Sequence, residues 1–215
     1  MSGIAGTGCE RIIPTEEKKP LEEIEKSIIK RYRKPIWSKF IKAIKQYDLI
    51  QDGDKVAVAI SGGKDSLLMA KCFQQLQRYS DVKFDLEFIA MDPGYHPQIK
   101  ALHKENLDYL GIPAHIYDSK IFEVIDKKAQ DYPCYLCARM RRGSLYEKAK
   151  ELGCNKLALG HHYNDVIETT MLNILYAGNF KTMLPKLKSQ NFEGIELIRP
   201  LYLIEEEAID RKSTR

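Results

Sequence analysis

The sequence predicts an α/β fold, an open, doubly wound parallel sheet with helices on both faces, preceded by a basic N-terminal helix. Three observations support this prediction. Beyond residue 51, short apolar runs typical of buried strands alternate with longer segments typical of helices. Gly and Pro residues mark turns between these segments. A glycine-rich loop joins the first apolar run to the first helical segment, and such sheets bind ligands beyond the carboxyl ends of their strands.

The elements of the alternation follow in chain order. The turn signal Asp52-Gly53-Asp54 introduces a buried strand over 55–60, which leads through the loop into a helix over 66–79. An apolar strand over 84–91 precedes a helix that starts at Pro97 and ends before Gly111, and a short strand over 115–117 follows. The remaining predictions are helices over 139–152 and 165–177, each closed by a glycine, and strands over 156–159 and 195–199.

Composition limits the class of protein. The chain has 215 residues, of which 44% are hydrophobic and 30% charged, enough for one buried core. No apolar run approaches the roughly 20 residues that a membrane span needs, and no signal peptide is apparent, so we expect a cytoplasmic protein with no membrane partner. In that compartment the five cysteines are expected to be thiols or metal ligands.

The two ends of the chain differ from its middle. Between Lys26 and Lys45 there are eight basic residues and no acidic one, and apolar residues recur at helical spacing, which predicts a basic amphipathic helix beginning near Pro35. The acidic stretch at 205–209 resembles a helix start, yet the chain ends soon after it. We therefore expect a truncated chain, with a flexible tail over 1–24, the basic helical segment over 25–50, the main domain over 51–209 and a non-native tail over 210–215.

The loop after the first strand is the main functional signal. A buried strand, two glycines and the start of a helix build an anion site, because the glycines let an anion approach backbone N–H groups that the helix leaves unpaired. The surrounding side chains add hydroxyl donors, a cation and a carboxylate that can hold Mg²⁺ beside phosphate oxygens. The alternative is a tight turn selected only for its backbone geometry. The residues of this loop are Ser61, Gly62, Gly63, Lys64, Asp65 and Ser66.

The Ser-Gly-Gly-Lys-Asp-Ser string resembles the pyrophosphate-loop (PP-loop) motif of the ATP pyrophosphatases, whose fold is that of the adenine nucleotide alpha hydrolases. This resemblance implies ATP and Mg²⁺ as cofactors, with the loop holding pyrophosphate while AMP passes to a carbonyl oxygen of the substrate. It also implies that Met91 and Asp92 receive the adenine and that Gly160 and His161 form the matching loop on the nucleotide side.

Two cysteines, Cys134 and Cys137, lie three residues apart beside a run of arginines. From the residues alone, this pair fits half of a zinc site, a redox pair, or two ligands of a metal cluster. Cys72 and Cys154 are predicted to be core residues, and Cys9 lies in the tail.

Together with Gly160-His161-His162 and the Lys181–Leu187 stretch, the cysteine segment resembles the tRNA 2-thiocytidine synthetase family. The resemblance implies a four-iron, four-sulfur (4Fe-4S) cluster held by Cys134, Cys137 and a third cysteine, expected beyond residue 215. Many members of that family have two acidic residues after the histidine pair, whereas here the first is Asn164 and only Asp165 is acidic. Asp165 is a candidate catalytic residue together with Asp65 and the two cysteines, and helix capping is the alternative for Asp165.

The resemblance implies an ATP-dependent tRNA sulfurtransferase that adenylates the C2 oxygen of an anticodon-loop cytidine and replaces it with sulfur. Its implied partners are tRNA and a sulfur donor such as a cysteine desulfurase, and it leaves open whether the chain forms a homodimer. Arg139 is assigned to ATP, and the candidates for tRNA contacts are Lys34, Arg141, Arg142 and Lys186. Two alternatives remain, a lysidine synthetase-like ligase with the same ATP chemistry and a non-catalytic nucleotide or iron–sulfur binding module.

Overall fold

The computed structural model describes residues 18–119, 121, 133–189 and 191–213, and within them the side chains of 133–136 and 213 are not described. The predicted tail before residue 18, including Cys9, lies outside the described residues, as does the side chain of Cys134. No helix in the described ranges is both long and apolar enough to cross a membrane.

A six-stranded sheet forms the centre of the molecule, with strand order β3-β2-β1-β4-β6-β5. All neighbouring pairs are parallel except β5 and β6, which pair antiparallel. The predicted α/β sheet is therefore confirmed, and the expectation of an all-parallel sheet is corrected at one edge. The strands are β1 Lys55–Ile60, β2 Asp85–Asp92, β3 Ala114–Asp118, β4 Lys156–Ala158, β5 Lys186–Lys188 and β6 Glu196–Ile198.

Strand β5 was not among the predicted elements because it offers almost no sequence signal. It has only three residues, and lysines occupy both of its ends, so no apolar run marks it. Its pairing with β6 forms only when the chain folds back, with Leu187 opposite Leu197. Short edge strands with charged residues are common because they discourage pairing with other chains.

The helices frame the sheet, and several begin earlier than predicted. The helix that carries the two cysteine positions starts at Pro133 instead of residue 139, which is consistent with the preference of proline for the first helical position. The described helices are α1 Leu21–Ile29, α2 Ser38–Gln46, α3 Lys64–Tyr79, α4 Pro97–Tyr109, α5 Pro133–Glu151, α6 Tyr163–Ala177 and α7 Glu206–Ser213.

The N-terminal segment differs from the single helix predicted to start near Pro35. Helix α1 occupies part of the predicted tail, and a π-helical turn over Arg33–Trp37 joins it to α2. Pro35 lies inside this turn, where Trp37 N donates to Tyr32 O at 3.3 Å and bypasses the register of a regular α-helix. Phe40 of α2 is fully buried, with its ring at right angles to that of Phe73 of α3. This segment is thus part of the core.

The core consists of two clusters, one on each face of the sheet. Alternate residues of β1 belong to different clusters: Val56, Val58 and Ile60 pack beneath α2, α3 and α7, whereas Ala57 and Ala59 pack beneath α5. Helix α7 contributes the fully buried Ile209 to the first cluster. The second cluster includes Tyr146 and Ala149 of α5. Both faces of β1 are therefore covered, and the loop that follows β1 emerges at the carboxyl edge of the sheet.

Candidate active site

The loop predicted to bind pyrophosphate forms a closed turn between β1 and α3. Gly62 has a φ of +88°, in the left-handed region that favours glycine, and Gly63 caps the helix in an extended conformation. The hydroxyl of Ser66 closes the turn, because Ser66 Oγ accepts from Ser61 N at 3.2 Å and donates to Gly63 O at 2.9 Å. Ser66 is buried and Ser61 is exposed. Ser66 thus holds the loop together, and Ser61 is the hydroxyl nearer to solvent.

Gly160, which follows β4, packs directly against this loop. A Cβ atom at Gly160 would lie 3.2 Å from Ser66 N, 3.3 Å from Ser66 Cα and 3.4 Å from the carbonyl carbon of Asp65. These atoms belong to the backbone of the first turn of α3, so a side chain at position 160 would press on the loop. The structure therefore brings together the two predicted nucleotide loops, and glycine allows the close approach.

Asp65 combines burial with an unsatisfied oxygen. Its Oδ1 atom is buried and lacks a hydrogen-bond partner. Burial raises the pKa of Asp65; positive charge at His162 and Lys64 opposes this rise, and the carboxylates of Asp165 and Glu206 add to it. An unpaired carboxylate oxygen beside an anion loop has the chemistry of a magnesium ligand.

The donor set around Asp65 is consistent with Mg²⁺ only if phosphate and water supply the remaining ligands. Among the described residues, no group of three or more His, Cys, Asp or Glu side chains could hold a metal ion. Mg²⁺ in nucleotide sites typically uses one or two carboxylates together with phosphate oxygens and water. Asp65 therefore fits the expected ion when a nucleotide accompanies it.

Lys64, predicted to contact ATP, is paired within the protein. Its Nζ lies 2.9 Å from Glu206 Oε1 and 2.5 Å from Asp210 Oδ1, both on α7. Burial opposes the charge of Lys64, but the hydrogen bonds to these carboxylates outweigh it and raise the lysine pKa. In this structure Lys64 ties the PP-loop to α7.

His162 and Asp165 form a capping box at the start of α6. Asp165 N donates to His162 Nδ1 at 3.3 Å, and His162 N donates to Asp165 Oδ2 at 2.7 Å. The capping alternative for Asp165 is thereby confirmed, whereas its catalytic role stays a prediction. The neighbouring Asn164 accepts from Glu206 N at 3.1 Å and links α6 to α7.

His161 lies beside Arg199, for which the sequence pattern predicted no role. Arg199, directly after β6, is buried at 6% exposure and donates from Nε to His161 Nδ1 at 3.4 Å and from Nη1 to Leu184 O. Burial and the neighbouring Arg142 charge lower the pKa of Arg199 to about 10. The sequence offered one indication of a role for Arg199, since it is a charged residue directly after an apolar strand. Ligands of such sheets bind at the edge formed by these strand ends.

Met91 and Asp92, which are predicted to receive the adenine, are the last two residues of strand β2. Asp92 is buried, and its Oδ1 accepts from Gly94 N at 2.9 Å and from Tyr95 N at 2.8 Å, which shapes the following turn. Burial opposes ionisation of Asp92, but these bonds and the bond from Lys100 outweigh it and lower the carboxyl pKa. Asp92 therefore has a structural role in this turn, and nucleotide contact by either residue stays a prediction.

The two cysteine positions lie one turn apart near the start of α5, at residues 134 and 137 of the Pro133–Glu151 helix. Cys137 is partly exposed and free, and the side chain of Cys134 is outside the described part of the chain. Arg139 and Arg142 are exposed on the same helix, and Arg141 is partly buried. Cys72 and Cys154 are buried, so their assignment to the core is confirmed.

The predicted tRNA contacts differ in how available they are. Lys34 is exposed in the π-helical turn. Lys186 donates to Asp48 O at 2.8 Å and lies 3.4 Å from Glu196 Oε2, so internal partners already neutralise its charge. Exposure alone thus favours Lys34 and Arg142 over Lys186 as sites for RNA phosphates.

Comparison with known proteins places this geometry in a family. The PP-loop domain family matches residues 33–214. A tRNA-cytidine(32) 2-sulfurtransferase of Citrifermentans bemidjiense is 41% identical over 171 residues, which cover 78% of this chain and 66% of that protein. The protein of that name from Geobacter metallireducens is 39% identical, with 84% and 70% covered. The chain thus spans about two thirds of the length of these relatives.

A solved structure supports the fold. The U34-tRNA thiolase NcsA from Methanococcus maripaludis, described with its 4Fe-4S cluster, matches with a TM-score of 0.66. The match covers 82% of this chain and 62% of that chain at 24% identity. At that identity the likeness concerns the arrangement of strands and helices.

Proposed function

This chain belongs to the PP-loop domain family and, within it, to the group of the tRNA-cytidine(32) 2-sulfurtransferases, and from that premise we propose that it catalyses the ATP-dependent thiolation of a cytidine in tRNA. The predicted resemblance to this group is confirmed. The cofactors proposed for the reaction are ATP, Mg²⁺ and a 4Fe-4S cluster, and the proposed substrate is tRNA. The name of the relatives points to cytidine 32 as the base.

One observation carries the proposal: the unpartnered Oδ1 of Asp65 lies on the first turn of α3, beside the closed loop. The first N–H groups of a helix have no acceptor within that helix, and its dipole adds partial positive charge at the same end. Backbone donors for phosphate and a carboxylate for Mg²⁺ thus share one turn of the chain. Mg²⁺, when bound there, would neutralise phosphate charge.

The chemistry proposed for this site has two steps. The C2 oxygen of cytidine forms a bond to the α-phosphorus of ATP, and the bond from that phosphorus to the bridging oxygen breaks, so that pyrophosphate leaves with the electron pair. Hydrosulfide then adds through its sulfur to C2 and loses its proton to water, and AMP departs with the original oxygen, so that a C2 thione remains. The loop amides stabilise the departing pyrophosphate, and the fixed position of α3 orients the α-phosphate towards the base.

The cysteine positions support sulfur transfer over the other uses of this ATP chemistry. Positions 134 and 137 are one turn apart, and the Cys137 thiol is free and partly exposed. Such a pair can supply two thiolates to an iron–sulfur cluster, whose role when bound would be to present sulfur. Exposed arginines of the same helix, Arg139 and Arg142, are available for phosphates of ATP and tRNA.

The test measures two products of a single incubation. The chain, reconstituted with iron and sulfide, is mixed with ATP, Mg²⁺, tRNA and sulfide, and both pyrophosphate release and thiolated cytidine are measured, the latter by mass spectrometry of digested tRNA. We expect both products from the native chain, neither from Asp65→Asn, and no thiolated base from the Cys134→Ala/Cys137→Ala double variant. Full activity of that double variant with free lysine would indicate lysidine-type chemistry, and ATP binding without pyrophosphate release would indicate a binding module.

A further inference from the structure

We propose that Arg199 is a positioning residue that fixes the imidazole of His161 so that its Nε2–H group is the hydrogen-bond donor presented to the nucleotide. This inference rests on the proposed function and on the expectation that the Gly160–His161 loop faces the nucleotide. The ligand class is an anionic or hydroxyl oxygen of a nucleotide, since only an acceptor can use this donor.

The contact itself determines which ring nitrogen carries the proton. Arg199 Nε lies 3.4 Å from His161 Nδ1. A guanidinium has only N–H donors and no acceptor, so Nδ1 must be the unprotonated nitrogen of the ring. The proton of the neutral imidazole is then on Nε2. This atom makes no hydrogen bond to the described residues, and it is not one of the fully buried polar atoms that lack a partner.

Arg199 is well suited to hold this orientation. It is almost fully buried and anchored by a second donor, Nη1, on the carbonyl of Leu184, while its backbone N donates to Pro185 O at 2.9 Å. Among the described residues, Arg199 forms no ion pair with a carboxylate, so its positive charge beside the imidazole is not compensated by one. A buried cation in this position disfavours a second positive charge on the ring.

The groups that surround His161 agree with a neutral ring. Burial lowers the pKa of His161 to about 4, and the charges of Arg199 and Arg142 act in the same direction. Asp165 opposes this shift, and His162 adds to it slightly. His161 therefore keeps its Nε2 proton without gaining charge across the physiological range, which differs from the usual behaviour of histidine.

The position of His161 connects this donor to the PP-loop. The preceding residue, Gly160, packs against the backbone of Ser66 and Asp65. His161 therefore follows β4 at the edge of the sheet where the PP-loop begins. Arg199 leaves β6, the neighbouring strand, at the same edge. The pair thus lies where ligands of parallel sheets bind.

The test measures the tautomer and ATP affinity separately. Nitrogen NMR of the chain labelled at histidine should show the Nε2–H tautomer for His161 in the native protein and no titration between about pH 5 and 8. In Arg199→Met both tautomers should appear, and the pKa should rise from about 4 towards the ordinary 6.5. The affinity of this variant for ATP should be about tenfold lower than that of the native chain, the loss typical of one hydrogen bond to a charged group. Its affinity should then increase as the pH falls and the imidazole becomes protonated. Arg33→Met, on an exposed arginine of the π-helical turn, is the control and should change neither the His161 signals nor the ATP affinity.

Two further variants keep the test decisive if Arg199→Met folds poorly. Glutamine places an amide N–H near the position of Nε2, so His161→Gln should bind ATP within about threefold of the native chain, whereas His161→Ala should lose about tenfold. An unchanged His161 tautomer and titration in a folded Arg199→Met variant would overturn the proposal, as would equal ATP affinity of the Gln and Ala variants. Failure of the proposed function would instead remove tRNA-dependent pyrophosphate release while leaving these readouts intact.

Discussion

Gly160 contacts the backbone of Ser66 so closely that an added Cβ would lie 3.2 Å from the Ser66 amide nitrogen. This contact joins the loop after β4 to the loop after β1, and no other residue type fits between them without displacing one. The geometry of the PP-loop is therefore supported from outside the loop as well as by its own serine.

The first prediction concerns this contact. Gly160→Ala should shift the first turn of α3 by a few tenths of an ångström, lower the free energy of unfolding by about 1–2 kcal/mol and weaken Mg²⁺–ATP binding about tenfold. Calorimetric titration and thermal unfolding measure the two effects. Gly143→Ala is the control, because a Cβ at Gly143 meets nothing within 4 Å and alanine favours the α5 helix. Equal ATP affinity in the two variants would contradict the prediction.

Asp65→Asn should separate stability from binding. Burial raises the pKa of Asp65, so its carboxylate destabilises the folded state once the pH exceeds the ordinary value of 3.8. The free energy of unfolding of the variant should therefore exceed that of the native chain, and the difference should grow with pH up to the raised pKa. The variant should also lose Mg²⁺-dependent ATP binding. Thermal unfolding from acid to neutral pH checks the first effect. The exposed Asp81→Asn is the control, and retained binding in Asp65→Asn would exclude this carboxylate as the metal ligand.

Glu25 tests whether the N-terminal segment belongs to the folded core. Its Oε1 lies 2.7 Å from the Nζ of the buried Lys71, and Arg78 binds its other oxygen at 2.6 Å. Glu25→Gln should lower the free energy of unfolding by about 3 kcal/mol, the lower end for breaking a buried pair, because Gln74 and the Leu110 carbonyl still accept from Lys71.

The Glu25 effect should depend on pH with a defined sign. Burial opposes ionisation of Glu25, but its two cationic partners outweigh it and lower the carboxyl pKa below 4.5. The stabilisation is therefore complete above 4.5 and is lost as the pH falls through the lowered value, so native and variant chains should converge in acid. Denaturant unfolding measures this. The exposed Glu22→Gln, which removes only a surface contact with Lys26, should change stability by less than about 0.5 kcal/mol. A similar small change for Glu25→Gln would contradict the core assignment.

Thiol labelling gives a prediction for the three described cysteines. Burial raises the pKa of Cys72 to about 12 and that of Cys154 to about 11, so both should react slowly with an alkylating reagent at neutral pH. Cys137, which is partly exposed, should react at least about tenfold faster in the native protein and should be protected after iron–sulfur reconstitution. Peptide mass mapping over time provides the rates. Equal labelling rates of all three cysteines in a folded sample would contradict the burial of Cys72 and Cys154.

The sequence alone was sufficient for the features that depend on neighbouring residues. Alternating apolar runs and turn residues predicted the α/β sheet, and the Ser-Gly-Gly-Lys-Asp-Ser string predicted an anion loop at a strand-to-helix turn, which the structure forms with Gly62 in the left-handed region. The burial of Cys72 also followed from local spacing, and that of Cys154 from its place between a predicted helix and a predicted strand. Such patterns repeat with the period of a helix or a strand, so a short window contains the whole signal.

Only the tertiary structure decided which distant residues meet. Arg199 reaches His161 across 38 positions, Lys64 is neutralised by Glu206 of α7, and Gly160 supports a loop that ends at Ser66. The edge strand Lys186–Lys188 and the docking of the N-terminal helices likewise depend on partners far along the chain. These contacts form because the strand order β3-β2-β1-β4-β6-β5 brings the ends of distant strands to one edge of the sheet. The strand order depends on how the helices and strands pack, so a local sequence pattern does not predict it.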